Sequence, residues 1–177
     1  SILVLGPLLA RFKEATISLP GGCAIGTRPI DIHLDSLSKL GVKFQIENGY
    51  VRGVVENELV GTSINLPFPS VGATENIMMA ACLARGVTLI NNAAKEPEII
   101  DLSKALNAMG AKIFFSGGDC IKVEGVDSLK EAGHTIMFDR IVAGTYILAG
   151  VMLNKKFTVN NINPTFLNSL TDVLIKM

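Results

Sequence analysis

The residue best suited to covalent chemistry in this sequence is a cysteine in a glycine-rich segment. Cys23 lies in Leu19–Gly26, LPGGCAIG, between a predicted strand at Ala15–Leu19 and a predicted helix that starts near Pro29. A neighbouring guanidinium, such as that of Arg28, and a helix N-terminus both favour the reactive thiolate. The glycines offer no apolar face on which a thiol could pack. The pattern therefore favours a functional cysteine, and a small buried structural residue is the alternative.

The other two cysteines are better explained by packing. Cys82 lies in the apolar run IMMAACLA, and Cys120 lies in a predicted strand. Both are expected to act as small hydrophobic residues. Three cysteines at no metal-like spacing predict neither a metal site nor a disulfide framework, and they favour a reducing, cytoplasmic compartment. No cofactor is predicted.

The segment Arg28–His33, RPIDIH, opens the helix that follows the cysteine segment. Pro29 suits the first helical position, and Asp31 in the first turn complements the helix dipole. Arg28 is well placed to hold an anion beside the helix start. His33 by itself is better explained as a core or surface residue than as a catalytic one.

A second polar concentration precedes a long apolar helix predicted at Asn76–Ala84. Ser70, Gly72 and Thr74 lie just before it, and a helix start with free backbone N–H groups is a ready anion or phosphate site. Plain capping by Thr74 and Asn76 is the alternative. The segment is not a P-loop, because no Gly-Lys-Ser/Thr follows.

A threefold repeat positions these segments. Each copy runs from an apolar helix through a β-branched strand and a Pro-containing loop to an amphipathic helix, and Thr16, Thr88 and Thr158 mark the copies about 70 residues apart. Strand pairs follow in the first two copies, with hairpin-turn residues at Asn48-Gly49 and Gly117-Gly118. An ordinary α/β sandwich with accidental repeats is the alternative.

The repeat predicts an α+β fold. Gly41 and Gly110 are expected to end the second helix of each copy with positive φ. Helices such as Asn76–Ala84 and Thr145–Leu153 are apolar on nearly every face, so we expect them at the centre with the sheets outside. Repeated β-α-β units of about 70 residues would then form an inside-out α/β barrel.

Bulk properties exclude several partners. Sixteen basic residues balance sixteen acidic ones, and aromatic residues make up 6%, which argues against nucleic acid binding. The most apolar stretches, Ser1–Ala10 and Val142–Leu153, are shorter than the roughly 20 residues of a membrane span. No membrane association is predicted.

Four segments carry a family resemblance: LPGGCAIGTRPIDIHL, FPSVGATENIMMAA, EPEIIDLSKALNAMGAKI and DRIVAGTY. They resemble the UDP-N-acetylglucosamine 1-carboxyvinyltransferases, and the resemblance covers Ser1 to Met177. It implies the enolpyruvyl transferase fold. It also implies transfer of enolpyruvate from phosphoenolpyruvate to the 3-hydroxyl of UDP-N-acetylglucosamine with release of phosphate, the first committed step of peptidoglycan precursor synthesis.

The resemblance also implies site roles. Cys23 matches the loop cysteine that assists protonation of the enolpyruvyl methylene and is alkylated by fosfomycin, and Arg28 matches the arginine that clamps phosphoenolpyruvate. Four residues match the stretch that lines the uridine end: Pro29, Ile30, Asp31 and His33. Three match the turn whose backbone holds the diphosphate: Ser70, Val71 and Gly72. Phe68 stands where some members have lysine, so diphosphate binding is expected to depend more on backbone groups here.

Family members are longer, with two domains of three repeats around a cleft. The resemblance implies that residues 1–137 hold two repeats of the first domain and that 138–177 begin the second. The chain is then expected to be inactive alone and able to self-associate through exposed surfaces. A shikimate-type enolpyruvyl transferase, an RNA 3′-phosphate cyclase and a non-catalytic nucleotide-sugar-binding domain are the alternatives. The Gly-Gly-Cys segment argues against the shikimate-type transferase and the RNA cyclase.

Overall fold

A computed structural model describes residues 1–21 and 30–177 and separates the chain into two compact units, Ser1–His134 and Thr135–Met177. The first unit contains the same order of elements twice: helix, strand, helix, strand, strand. The predicted repeat is therefore confirmed for the first two copies.

The first copy forms a three-stranded antiparallel sheet with two helices. Its elements are α1 Leu5–Phe12, β1 Glu14–Ser18, α2 Asp31–Lys39, β2 Val42–Glu47 and β3 Tyr50–Val55. The strand order is β1-β3-β2. The β2–β3 turn has positive φ at both Asn48 (50°) and Gly49 (79°), as a type I′ hairpin requires, which confirms the predicted turn.

The second copy repeats this sheet and adds one strand to its edge. Its elements are β4 Ser63–Asn65, α3 Val71–Ala81, β5 Val87–Asn91, α4 Pro97–Ala108, β6 Lys112–Phe115 and β7 Ile121–Glu124. The order β5-β7-β6 matches β1-β3-β2, and β4 pairs in parallel with β5. The strand β4 was not predicted from the sequence.

Glycines end the second helix of both copies as predicted. Gly41 and Gly110 follow α2 and α4 with φ of 105° and 99°, a region that residues with a Cβ rarely adopt. Cys120 corrects a detail of the prediction, because it lies immediately before β7 rather than within a strand and is half-buried. The turn at Gly117 and Gly118 uses positive φ at both residues, and Cys120 closes it.

The helices lie inside the first unit, and the sheets lie outside them. The apolar helix α3 contacts α1, α2 and α4; α1 and α2 pack on the first sheet, and α3 and α4 pack on the second. Leu5, Leu9, Ile77 and Met78 are fully buried in this core, and each such side chain contributes about 1.5–3 kcal/mol of transfer free energy. The predicted α+β arrangement is confirmed for this unit.

The helix α3 starts five residues earlier than the predicted Asn76, whereas α2 starts near Pro29 as predicted. The helix α3 begins at Val71, because the Ser70 Oγ accepts from the Ala73 N–H at 3.3 Å. Thr74 and Asn76 therefore lie inside the helix, and the alternative interpretation that they cap it is wrong. The helix α2 begins at Asp31, after the non-helical Ile30 as its N-cap, and the prediction for Pro29 lies outside the described residues.

The regular elements of the second unit are all helical. It contains α5 Arg140–Met152, a 3₁₀ turn at Pro164–Leu167 and α6 Asn168–Lys176. The prediction of a strand near Thr158 is wrong. The second unit is described in full, and it contains no strand with which residues near Thr158 could pair. The prediction that α5 is buried is also wrong: Met152 and Leu153 are 85% and 68% exposed, and few elements of the unit pack on the helix.

Within residues 1–21 and 30–177, no helix has the length and apolar character that crossing a bilayer requires.

Candidate functional site

The structure describes six of the nine predicted site residues. Cys23, Arg28 and Pro29 fall outside the described residues, so their roles stay predictions. The six described residues lie at the starts of two helices: Ile30, Asp31 and His33 at α2, and Ser70, Val71 and Gly72 at α3.

His33 brings these two helix starts together. It is 8% exposed, and its ring faces Gly72 in the first turn of α3. A Cβ added at Gly72 would lie 3.2 Å from the His33 Cε1 and 3.5 Å from its Nε2. Glycine therefore allows the ring to approach the helix backbone closely. Two segments that are remote in sequence therefore lie against each other.

The first turn of α3 offers backbone donors to an anion. The Ser70 hydroxyl and carbonyl accept from the N–H groups of Ala73 (3.3 Å) and Thr74 (3.0 Å). The N–H groups of Val71 and Gly72 are the first two of the helix and have no intrahelical acceptor. Because α2 starts beside α3, the positive ends of two helix dipoles lie together. The arrangement can hold a phosphate-like group.

A buried asparagine holds the histidine. The Asn76 Nδ2 lies 3.1 Å from the His33 Nδ1 and donates to the Ile2 carbonyl at 3.0 Å, and its Oδ1 accepts from the Gly6 N–H at 2.6 Å. Asn76 is fully buried on α3. Sequence reasoning considered this residue only as a cap. An amide inside an otherwise apolar helix was the signal that could have revealed its role.

Burial sets the charge of His33. Desolvation lowers its pKa below the ordinary value of 6.5, and the nearby carboxylate of Asp31 opposes this shift only in part. The ring is therefore neutral at pH 7, with one nitrogen donating and the other accepting.

Cys82 behaves as predicted for a structural thiol. It is fully buried in the core, and burial raises its pKa from 9.0 to about 12. The thiol donates to the Met78 carbonyl at 3.2 Å. Thiolate chemistry at this position is disfavoured at neutral pH.

An open depression of about 450 Å³ borders the α3 turn through Pro69. Its lining carries both signs of charge, because it includes Lys95 as well as Glu96 and Asp119. Across the described ranges 1–21 and 30–177, we find no group of three side chains that could hold a metal ion.

Comparison with known proteins identifies the family. Residues 1–177 match the EPSP synthase (3-phosphoshikimate 1-carboxyvinyltransferase) family. The chain belongs to this family. It is 50% identical over 175 residues to the UDP-N-acetylglucosamine 1-carboxyvinyltransferase of Pseudoalteromonas atlantica, which covers 99% of the chain and 42% of that relative. The protein of the same name from Pelagibacter ubique is 49% identical over 176 residues, with the same coverage.

The chain therefore spans about two fifths of the length of these curated EPSP synthase family relatives. The solved structure of the enolpyruvyl transferase NikO from Streptomyces tendae has a TM-score of 0.71 and 24% sequence identity to this chain. The match covers 84% of this chain and 36% of NikO. This likeness agrees with the enolpyruvyl transferase fold that the family resemblance implied.

Proposed function

We propose that this chain is the part of a UDP-N-acetylglucosamine enolpyruvyl transferase that carries the cysteine segment and the diphosphate-binding turn. The whole enzyme would act in the cytoplasm on phosphoenolpyruvate and UDP-N-acetylglucosamine to make a peptidoglycan precursor. The structural observation that supports this most is the contact of His33 with Gly72, because it joins the uridine-lining and diphosphate-binding segments into one surface.

Each residue has a distinct task in this proposal. The N–H groups of Val71 and Gly72 donate to the diphosphate, and Ser70 stabilises the turn because its hydroxyl caps the Ala73 N–H. Ile30, Asp31 and His33 line the uridine side together with Pro29. Arg28 binds the phosphate and carboxylate of phosphoenolpyruvate, and Cys23 supplies a proton to its methylene carbon.

We propose the sugar nucleotide rather than shikimate 3-phosphate as the substrate because of the names of the relatives that are described above. The family as a whole takes its description from the shikimate reaction. The proteins that share about half of this chain's residues bear the UDP-N-acetylglucosamine name instead. A domain that only binds the nucleotide sugar would share the turn but would not need the reactive cysteine.

Fosfomycin labelling tests the proposal. The thiolate of Cys23 would open the epoxide, forming a C–S bond while the ring oxygen takes up a proton. Mass spectrometry of the intact chain should show one adduct at Cys23, and UDP-N-acetylglucosamine should increase its rate at least severalfold. Shikimate 3-phosphate should not increase the rate of adduct formation.

Two internal controls come from the other cysteines. Cys82 should stay unmodified because its thiol is buried and its pKa is raised to about 12, and a Cys23→Ser chain should gain no adduct. An adduct at Cys120 alone, or acceleration by shikimate 3-phosphate rather than by the sugar nucleotide, would refute the assignment.

We further propose that residues 1–137 and 138–177 belong to different domains and that apolar side chains of the second promote self-association. Ile141, Val151 and Met152 on α5 are 64%, 55% and 85% exposed. Light scattering coupled to size exclusion should show a mass that rises with concentration. The double variant Ile141→Lys, Val151→Lys should abolish the rise, whereas Phe114→Lys in the first unit should leave it unchanged. A concentration-independent monomer would contradict this.

A further inference from the structure

The orientation of the Asn76 amide is fixed by two backbone groups that each have only one role. The Gly6 N–H can only donate, so the atom 2.6 Å from it is the amide oxygen of Asn76. The Ile2 carbonyl can only accept, so the atom 3.0 Å from it is the amide nitrogen. No flipped orientation satisfies both groups.

This orientation determines the tautomer of His33. The Asn76 amide nitrogen has two hydrogens and accepts no hydrogen bond, and it lies 3.1 Å from the His33 Nδ1. The Nδ1 must therefore accept, and the hydrogen of the neutral ring must be on Nε2. Burial disfavours the doubly protonated ring, although Asp31 acts in the opposite direction.

The Nε2 edge of the ring faces the start of α3, where it would lie 3.5 Å from a Cβ at position 72. With a hydrogen on Nε2, the ring adds a side-chain donor to the backbone donors of Val71 and Gly72. The opposite tautomer would present a lone pair there, and an anionic ligand oxygen would be repelled.

We propose that Asn76 is a positioning residue that holds His33 as the Nε2–H tautomer, so that His33, at the boundary between the uridine-lining and diphosphate-binding segments, donates a hydrogen bond to a phosphate oxygen of a nucleotide sugar bound at the start of α3. The tautomer follows from the hydrogen bonds alone. The identity of the ligand rests on the function proposed above.

Long-range ¹H–¹⁵N spectra of the full chain test the tautomer without any ligand. The chain has two histidines, and His33→Gln identifies the signals of residue 33. We expect the Nε2–H form at neutral pH. Asn76→Asp keeps an oxygen for Gly6 but places a carboxylate oxygen opposite Nδ1, so the hydrogen of the neutral ring should move from Nε2 to Nδ1.

A matched control is available on α4. The Asn107 amide accepts from the Ile113 N–H at 2.9 Å and donates to the Ile113 carbonyl at 3.0 Å, with no histidine among these partners. Asn107→Asp should therefore leave the His33 spectrum unchanged. A wild-type spectrum with the hydrogen on Nδ1 would overturn the proposal, and this result needs no variant to fold.

Titration with UDP-N-acetylglucosamine tests the role of the donor. The Nε2–H signal of His33 should shift together with the amides of Val71 and Gly72. Affinity should fall about tenfold in Asn76→Asp, as expected for loss of one hydrogen bond to a charged group, and less than about twofold in Asn107→Asp.

The outcomes separate the two proposals. Shifts at Val71 and Gly72 without a shift at His33 Nε2 would refute the donor role of His33. No shift at any of the three, with the Nε2–H tautomer observed, would support the role of Asn76 while contradicting the nucleotide-sugar function.

Discussion

His33 illustrates how one side chain can serve both packing and recognition. Its ring fills the space that Gly72 leaves open, and its two nitrogens have different environments, one against Asn76 and one toward the start of α3. A histidine in this setting is useful as a fixed neutral donor rather than as a charge. Its protonation should therefore oppose both folding and the hydrogen bond to Asn76.

The pH dependence of stability tests this description. Because burial lowers the His33 pKa below 6.5, the unfolded chain binds the proton first as the pH falls. The stabilising effect of the neutral ring is complete above pH 6.5 and is lost as the pH falls through the lowered value. Urea unfolding at a series of pH values should show His33→Gln losing less stability than wild type on acidification. Parallel curves would contradict this.

At the scale of single elements, glycine is the most favourable residue where a helix ends with a positive φ. Gly110 follows α4 with φ of 99°, and open space surrounds the position of its missing Cβ. Any effect of adding a methyl group must therefore come from backbone strain rather than from a clash.

Gly110→Ala should lower the free energy of unfolding by about 1 kcal/mol, because alanine disfavours the left-handed region. Gly133→Ala is the matched control, since its Cβ also meets open space and its φ is not in that region. We expect a change below about 0.5 kcal/mol for the control. Equal effects of the two substitutions in chemical denaturation would show that strain is not the cause.

Features encoded by neighbouring residues could be predicted from the sequence. The Asn48-Gly49 hairpin, Gly41 and Gly110 depend on backbone preferences within a few residues, and all agree with the structure. The partners of Asn76 could not be predicted, because Gly6 and Ile2 lie at the start of the first copy, 70 and 74 residues earlier in the chain. The reactive role of Cys23 remains a prediction.

Other features depended on pairing across longer distances. The strand β4 has only three residues, and it forms because β5 provides a partner in parallel register. The exposure of α5 depends on which elements pack around it, and its apolar pattern resembles that of the buried α3. Periodicity therefore identified both helices but could not distinguish their environments.

At the scale of the whole first unit, α1 and α3 join the two copies through a close contact at Gly6. A Cβ on this residue would overlap the main-chain and side-chain oxygens of Asn76. Gly6→Ala should therefore lower the free energy of unfolding of this unit by about 3 kcal/mol, because neither helix backbone can move without disturbing the core. Urea denaturation measures the change, with Gly133→Ala as the control.

Gly6→Ala should also change the NMR signals of His33. This effect distinguishes a local change at Asn76 from a general loss of stability. Because Gly6 orients the amide of Asn76, the His33 signals should move in Gly6→Ala even under conditions where the chain stays folded. Near wild-type stability for Gly6→Ala would show that the two copies are held together elsewhere.

The edge strand β4 ties the first copy to the sheet of the second. It follows the first hairpin in the chain, yet it pairs with β5 of the next sheet, and the Leu89 N–H donates to the carbonyl of the adjoining Thr62 (3.0 Å). A peptide that began at the start of α3 would lack this strand and expose the unpaired backbone groups of β5, which can pair with another chain. The connection between the copies therefore also protects the sheet of the second copy from aggregation through its edge.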